Sequence, residues 1–222
     1  MRVPFVLAWL LFNSATFCAI PQEGWYVGFL VGPSLVSNLH FSVTNPLLGI
    51  PTTGKLTYAP SVNGDVHIGY RVDKFRFEAQ GIYNKSSFKS LDLGNIEISA
   101  DDNNYGLNMS GNTRFVSGMI NVYYEFYREE AEIRLVPYIG LGAGFASVQN
   151  IFNLNYRHTS FYARNDTAYA PMGQGIAGLS FFATDNHSVG IDYRYMSTPR
   201  HQRLNSSVAV QTINFFANLS FN

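Results

Sequence analysis

The chain has 222 residues, 46% hydrophobic and 15% aromatic but only 14% charged, against roughly 25% charged in ordinary soluble domains. Fifteen basic and fifteen acidic residues cancel to zero net charge, so there is no basic field for nucleic acid. The single cysteine, Cys18, excludes an internal disulfide or a cysteine-built zinc site, and beyond the N-terminus no run approaches the ~20 apolar residues of a spanning helix.

The first residues read as an export signal. Arg2 precedes an apolar run over 3–12, followed by the small and polar Asn13-Ser14-Ala15-Thr16. That is a positive n-region, an h-region of secretory length and a cleavage zone. The expected boundary gives a signal peptide over 1–19, cut between 15 and 19, and one mature domain over 20–222. The bulky Phe17 before Cys18 argues against a lipoprotein cysteine.

The mature chain opens with a strand over 25–34. Trp25, Val27, Phe29 and Val31 fall on one face; Tyr26, Gly28, Leu30 and Gly32 fall on the other, because successive side chains of a strand alternate. A Ser-, Thr-, Pro- and Gly-rich segment over 38–63 follows. The second strand, 64–72, sets Val66, Ile68, Tyr70 and Val72 against Asp65, His67, Gly69 and Arg71. A tight turn at Asp73-Lys74 leads to the third, 75–83, where Phe75, Phe77, Ala79 and Tyr83 oppose Arg76, Glu78 and Gln80. A long polar segment over 84–113 comes next.

The fourth strand, 115–126, alternates Val116, Gly118, Ile120, Val122, Tyr124 and Phe126 with Ser117, Met119, Asn121, Tyr123 and Glu125. After a short charged link over 128–132, the fifth strand, 137–145, presents Pro137, Ile139, Leu141, Ala143 and Phe145 on one face. Its other face is Tyr138 followed by Gly140, Gly142 and Gly144. Glycine weakens a strand, so three on one face indicate a crowded interior, while the fully apolar face suits lipid. A third long segment spans 147–171, then a sixth strand over 172–182, in which Ile176 shares the parity of Gln174. A turn over 184–187 precedes the seventh strand, where Val189, Ile191, Tyr193 and Tyr195 oppose Gly190, Asp192 and Arg194. A polar, basic stretch over 197–207 leads to the last strand, 208–222, which carries Ile213, Phe215, Ala217, Leu219 and Phe221 on one face.

The reading is all-β: eight strands of ~10 residues, the length that crosses a bilayer when tilted. Short connections follow the second, fourth and sixth strands and long ones follow the first, third, fifth and seventh. That segregates turns to one end and long loops to the other, as in outer-membrane barrels. No backbone group can stay unpaired in hydrocarbon, so the sheet must close, first strand on last. The expected fold is a transmembrane up-and-down antiparallel β-barrel, and the expected location the cell outer membrane.

The inward polar set is His67, Arg71, Arg76, Glu78, Gln80, Asn121, Glu125, Asp192 and Arg194. An eight-stranded barrel is just wide enough to be filled by side chains, and charges buried there must pair. The set reads as a structural plug of mixed sign, with His67 a network member; a channel would want a one-signed lining. Arg157-His158-Thr159-Ser160 offers a His-x-Ser spacing like that of outer-membrane lipid A deacylases, with Asp166 nearby, but its flanks read as loop. There is no phosphate-binding loop, dinucleotide fingerprint or metal-ligand cluster, and no cofactor is expected.

Trp25-Tyr26-Val27-Gly28, Phe75-Arg76-Phe77-Glu78, the stretch over 121–126, the glycine-bearing strand over 137–144 and Tyr193-Arg194-Tyr195 together resemble the small eight-stranded outer-membrane barrels: the OmpA transmembrane region, OmpX-type proteins and opacity-type surface antigens. That family usually ends on a phenylalanine recognised by the barrel-assembly machinery; here Phe221 is followed by Asn222. The resemblance implies a monomer in outer-membrane lipid, delivered by that machinery, with adhesion to a host surface or matrix ligand, or envelope integrity, as its role. The alternatives are a lipid A deacylase-type enzyme and a small low-conductance pore. Contacts would come from loop aromatics, Phe41, Tyr58, Phe88, Tyr105, Phe152, Phe161 and Tyr162, since interface hot spots favour aromatics.

Overall fold

A computed structural model describes residues 21–44, 51–93, 96–100, 107–126, 135–156, 159–199 and 207–221. Its strands, in chain order, are β1 (Gly24–Val36), β2 (Leu39–Thr44), β3 (Pro51–Tyr58), β4 (Ser61–Val72), β5 (Phe75–Leu93), β6 (Ile96–Ser99), β7 (Leu107–Glu125), β8 (Leu135–Tyr156), β9 (Thr159–Phe182), β10 (His187–Ser197) and β11 (Ala209–Phe221). The expected signal peptide lies outside the described residues.

Eight of these strands close a ring. β1 pairs with β4 on one side and β11 on the other; β4 pairs β5, β5 pairs β7, and β7 through β11 pair in sequence, always antiparallel. Trp25 sits opposite Phe221 in the closing pair. Closure leaves the spanning region without an edge, which is what hydrocarbon requires.

Polarity is inverted relative to a soluble domain. The outward positions Phe29, Val66, Ile120, Leu141, Phe145 and Phe215 are all exposed, Leu141 by 74%. Inward positions of the same strands are buried. Towards the end that carries the short turns, the outward side chains become an aromatic girdle. Trp25 packs edge-on to Tyr70 at 5.3 Å between ring centres, and Phe75 to Tyr124 at 5.4 Å. The turn after β4 places Asp73 at φ 47°, a left-handed conformation that Asp tolerates better than most residues. The Asp73 N–H donates to the Glu23 carboxylate at 2.9 Å.

The glycine face of β8 has a steric reason. A Cβ on Gly140 would sit 2.5 Å from the Tyr123 ring, and one on Gly142 would collide with the Asn121 side-chain oxygen. Outward Gly81, Gly118 and Gly175 meet nothing within 4 Å. Gly140 and Gly142 therefore make room for side chains of the paired strand β7, Gly144 for the backbone carbonyl of Gly118, and the outer three glycines answer no such contact.

The structure corrects the reading of the long segments as loops. Much of 38–63, 84–113 and 147–171 is strand. β8 and β9 continue past the membrane as one tall hairpin, paired as far as Tyr156 and Thr159, with a register shift at Leu154/Asn155. β5 continues upward and leaves β7 to pair with β3 and β6, and β3 pairs β2. The result is a second, four-stranded sheet outside the bilayer. Strand alternation fades there for a physical reason: above the lipid, an outward side chain no longer has to be apolar.

Candidate functional site

The lower lumen holds a polar network built on inward positions of all eight ring strands. Glu125, fully buried, accepts from Arg71 Nε at 2.9 Å and Nη2 at 3.3 Å, and Arg76 Nη1 lies 3.3 Å away. The Arg76 guanidinium also stacks 4.2 Å over Tyr123 and 4.8 Å from the Tyr138 ring centre. Arg71 lies 5.2 Å from the centre of the Phe182 ring. Charge pairing and cation–π contact therefore hold the same two arginines.

One rung higher, Glu78 accepts from Tyr123 at 2.7 Å, Tyr26 at 2.9 Å and Asn121 at 3.2 Å. His67 bridges Asp65 (3.0 Å from Nδ1) and the Asn218 side-chain oxygen (2.8 Å from Nε2), with Glu78 3.9 Å away. Both hydrogen-bond partners are oxygens, so a ring carrying hydrogen on each nitrogen satisfies them. Arg194 donates to Asp192 at 2.8 Å and approaches Asp65 at 3.7 Å. Asp192 also accepts from Asn214 at 2.7 Å and Tyr138 at 3.2 Å. Gln80 donates to Asp65 and accepts from Asn121 at 2.8 Å and Gln174 at 3.0 Å.

All nine lumen residues singled out from the sequence meet in this network. Asp65, Gln174, Asn214, Asn218 and the hydroxyls of Tyr26, Tyr123 and Tyr138 join those nine in the network. Asp65 carried a usable signal, since it shares the parity of His67 and Arg71 on β4. With it, four carboxylates face three guanidinium groups and the His67 ring.

Above the network apolar side chains enter the lumen beside a smaller polar group, Ser61, Asn84 and Ser86, that hydrogen-bond to one another. Ile82, Phe115, Met119, Val148, Met172 and Met196 pack together there, all buried. A mixed-sign network below and a methionine-rich plug above fill the barrel.

Outside the membrane, the second sheet has its own small core. Leu56, Phe88, Leu91, Ile98 and Met109 are buried there, with Leu39, Tyr58, Phe152 and Leu154 packed against them. Phe88 meets Tyr58 at 5.5 Å and Phe152 at 5.9 Å between ring centres. This changes the reading of the contact aromatics. Phe88 is 5% exposed and is a core residue of the sheet rather than a contact surface; Tyr58 and Phe152 are half-buried supports of it. Tyr162, 46% exposed on the tall hairpin, is open to solvent, and next to it Arg164 pairs with Asp166 on the same strand. Tyr105 falls outside the described residues, as do the side chains of Phe41 and Phe161. His158 also falls outside them, and Ser160 is described only as part of β9, so the His-x-Ser spacing gains no geometry here.

No protein-family model matches the chain. It is 28% identical over 209 residues to the outer membrane protein PagN of Salmonella typhimurium, covering 88% of this chain and 80% of that one. Among solved structures it resembles neisserial surface protein A (TM-score 0.54, 15% identity, 90% of this chain and 98% of that one). It also resembles the outer membrane protein OprG of Pseudomonas aeruginosa (TM-score 0.52, 10% identity, 91% and 98%). The closed ring, the apolar outer wall, the filled lumen and these likenesses agree: the chain is a small eight-stranded outer-membrane β-barrel, anchored in the bilayer by its outward face.

Proposed function

We propose that the protein is a surface adhesin of the outer membrane, with a barrel that holds it in place and outer strands that carry the contacts. The observation behind this is the second sheet. A barrel serving only to occupy the membrane would have no use for a separate apolar core beyond it, around Phe88 and Met109. That core stiffens β3, β5 and β6, and a stiff platform loses less entropy on binding than a free loop. The tall β8–β9 hairpin stands beside it and offers Tyr162 and Arg164, residue types favoured at binding hot spots. The contact partner on this reading is a host-surface or matrix component, and the protein works by binding rather than catalysis.

The test is adhesion of whole cells to a panel of matrix components, with each outer segment shortened in turn and with Tyr162→Ala/Arg164→Ala. Shortening the β8–β9 hairpin is expected to abolish attachment to the preferred component. The double substitution is expected to weaken it about tenfold, with surface display of the barrel unchanged. Unaltered attachment across the whole series would refute the adhesin reading.

A further inference from the structure

The outer wall of the barrel carries one rung that differs from the rest. From the short-turn end upward, the outward positions of the eight spanning strands are uncharged: Phe75, Phe77, Ala79, Gly81 and Tyr83 on β5, and Tyr124, Val122, Ile120, Gly118 and Val116 on β7. The same holds on the other described strands above their terminal turns. The next rung is Lys85 directly opposite Arg114. Beneath it, Tyr83 pairs with Val116, and across the hairpin Tyr169 is 74% exposed. The two cations therefore stand at the height where the lipid-facing belt ends, on the wall that faces lipid rather than on the lumen side.

Two like charges directly opposite on neighbouring strands, their Cβ atoms roughly 4.5–5.5 Å apart, repel. Nothing among the described residues relieves them. Neither makes an ion pair there, and the Arg114 Nε is buried without a hydrogen-bond partner. On the far side of Arg114, Gln149 lies opposite it but donates its amide to Asn165 at 3.2 Å. A polar atom buried with no partner is costly, and an unrelieved cation pair adds to that cost. An anion seated between the two side chains would remove both.

We propose that Lys85 and Arg114 together hold the phosphate of an outer-leaflet lipid. The position selects the source: the pair sits directly above the apolar belt, where a lipid's chains lie along Val116, Gly118 and Ile120 and its headgroup meets the rung. Arg supplies a planar fork suited to two phosphate oxygens, and Lys a point charge for a third. The site belongs to the membrane wall and is separate from the outer sheet that carries the adhesive reading.

The experiment uses the mature chain refolded into phosphatidylcholine nanodiscs containing a minor fraction of diphosphorylated lipid A, or of the same glycolipid with its phosphates removed. Native mass spectrometry then counts glycolipid retained on the released barrel. The expected result is retention of the phosphorylated form only, reduced at least about tenfold in Lys85→Gln/Arg114→Gln. The charge-matched Lys55→Gln/Lys74→Gln is expected to leave retention unchanged, and circular dichroism to show both variants folded as barrels. Equal retention of the phosphate-free glycolipid would overturn the proposal. So would equal loss in the two double variants, no loss in either, or displacement of the glycolipid by millimolar inorganic phosphate.

Discussion

Glu125 is the residue on which the lower lumen turns. It has no solvent exposure and sits between two guanidinium groups, Arg71 and Arg76. Breaking a buried pair by removing one partner is far more damaging than never having had the pair, because the remaining charge stays desolvated. Glu125→Ala is therefore expected to lower barrel stability by about 3–5 kcal/mol. Urea unfolding from lipid vesicles, followed by circular dichroism, measures this, and a loss below about 1 kcal/mol would mean that cation–π contacts with Tyr123 and Tyr138 hold the arginines without it. The inner glycines answer the same constraint from the opposite side. Large inward side chains such as Tyr123 and Asn121 lean over the neighbouring strand and leave no volume for a Cβ on Gly140 or Gly142, their direct partners on β8.

At the scale of elements, the protein has two packing problems solved separately. Spanning strands bury polar and aromatic side chains inward and expose apolar ones to lipid; the outer sheet buries apolar side chains against one another, as a water-soluble sheet does. β5 takes part in both, carrying Glu78 and Gln80 in the lumen and Phe88 and Leu91 above it. Phe88→Ala should therefore loosen the outer sheet and leave the barrel whole. The local loss is expected at about 3–5 kcal/mol, the usual cost of emptying a buried aromatic site. Protease added to intact cells checks it: cleavage between β3 and β7 should appear in the variant while the membrane-embedded fragment survives. Global unfolding instead would show that the two regions fold as one cooperative unit.

At the scale of the whole molecule, the barrel is held by its solvent as much as by its contacts. Outward side chains such as Ile120, 64% exposed, are stable only against hydrocarbon. Ile120→Arg is expected to cost about 2–4 kcal/mol in a bilayer, the depth-dependent penalty for a cation on a barrel's lipid face. Urea titrations of the variant refolded in vesicles measure it. A variant as stable as the parent would place Ile120 away from the bilayer midplane and would shift the whole belt.

Much of this was legible from sequence because lipid imposes its rule locally. Each spanning strand alternates on its own, so the eight strands, the segregation of short turns to one end and the inward set from His67 to Arg194 could all be read without knowing which strand lies beside which. The outer strands were not legible, because above the bilayer water accepts polar groups on either face and the alternation loses its cause; Phe88, polar-flanked in Ser87-Phe88-Lys89, looked like a loop anchor. Only tertiary pairing decided that Phe88 meets Tyr58 and Phe152, that Asp65 completes the charge balance with His67 and Arg194, and that Lys85 faces Arg114. Register between strands fixes those encounters, and it depends on the closed ring as a whole rather than on any one segment.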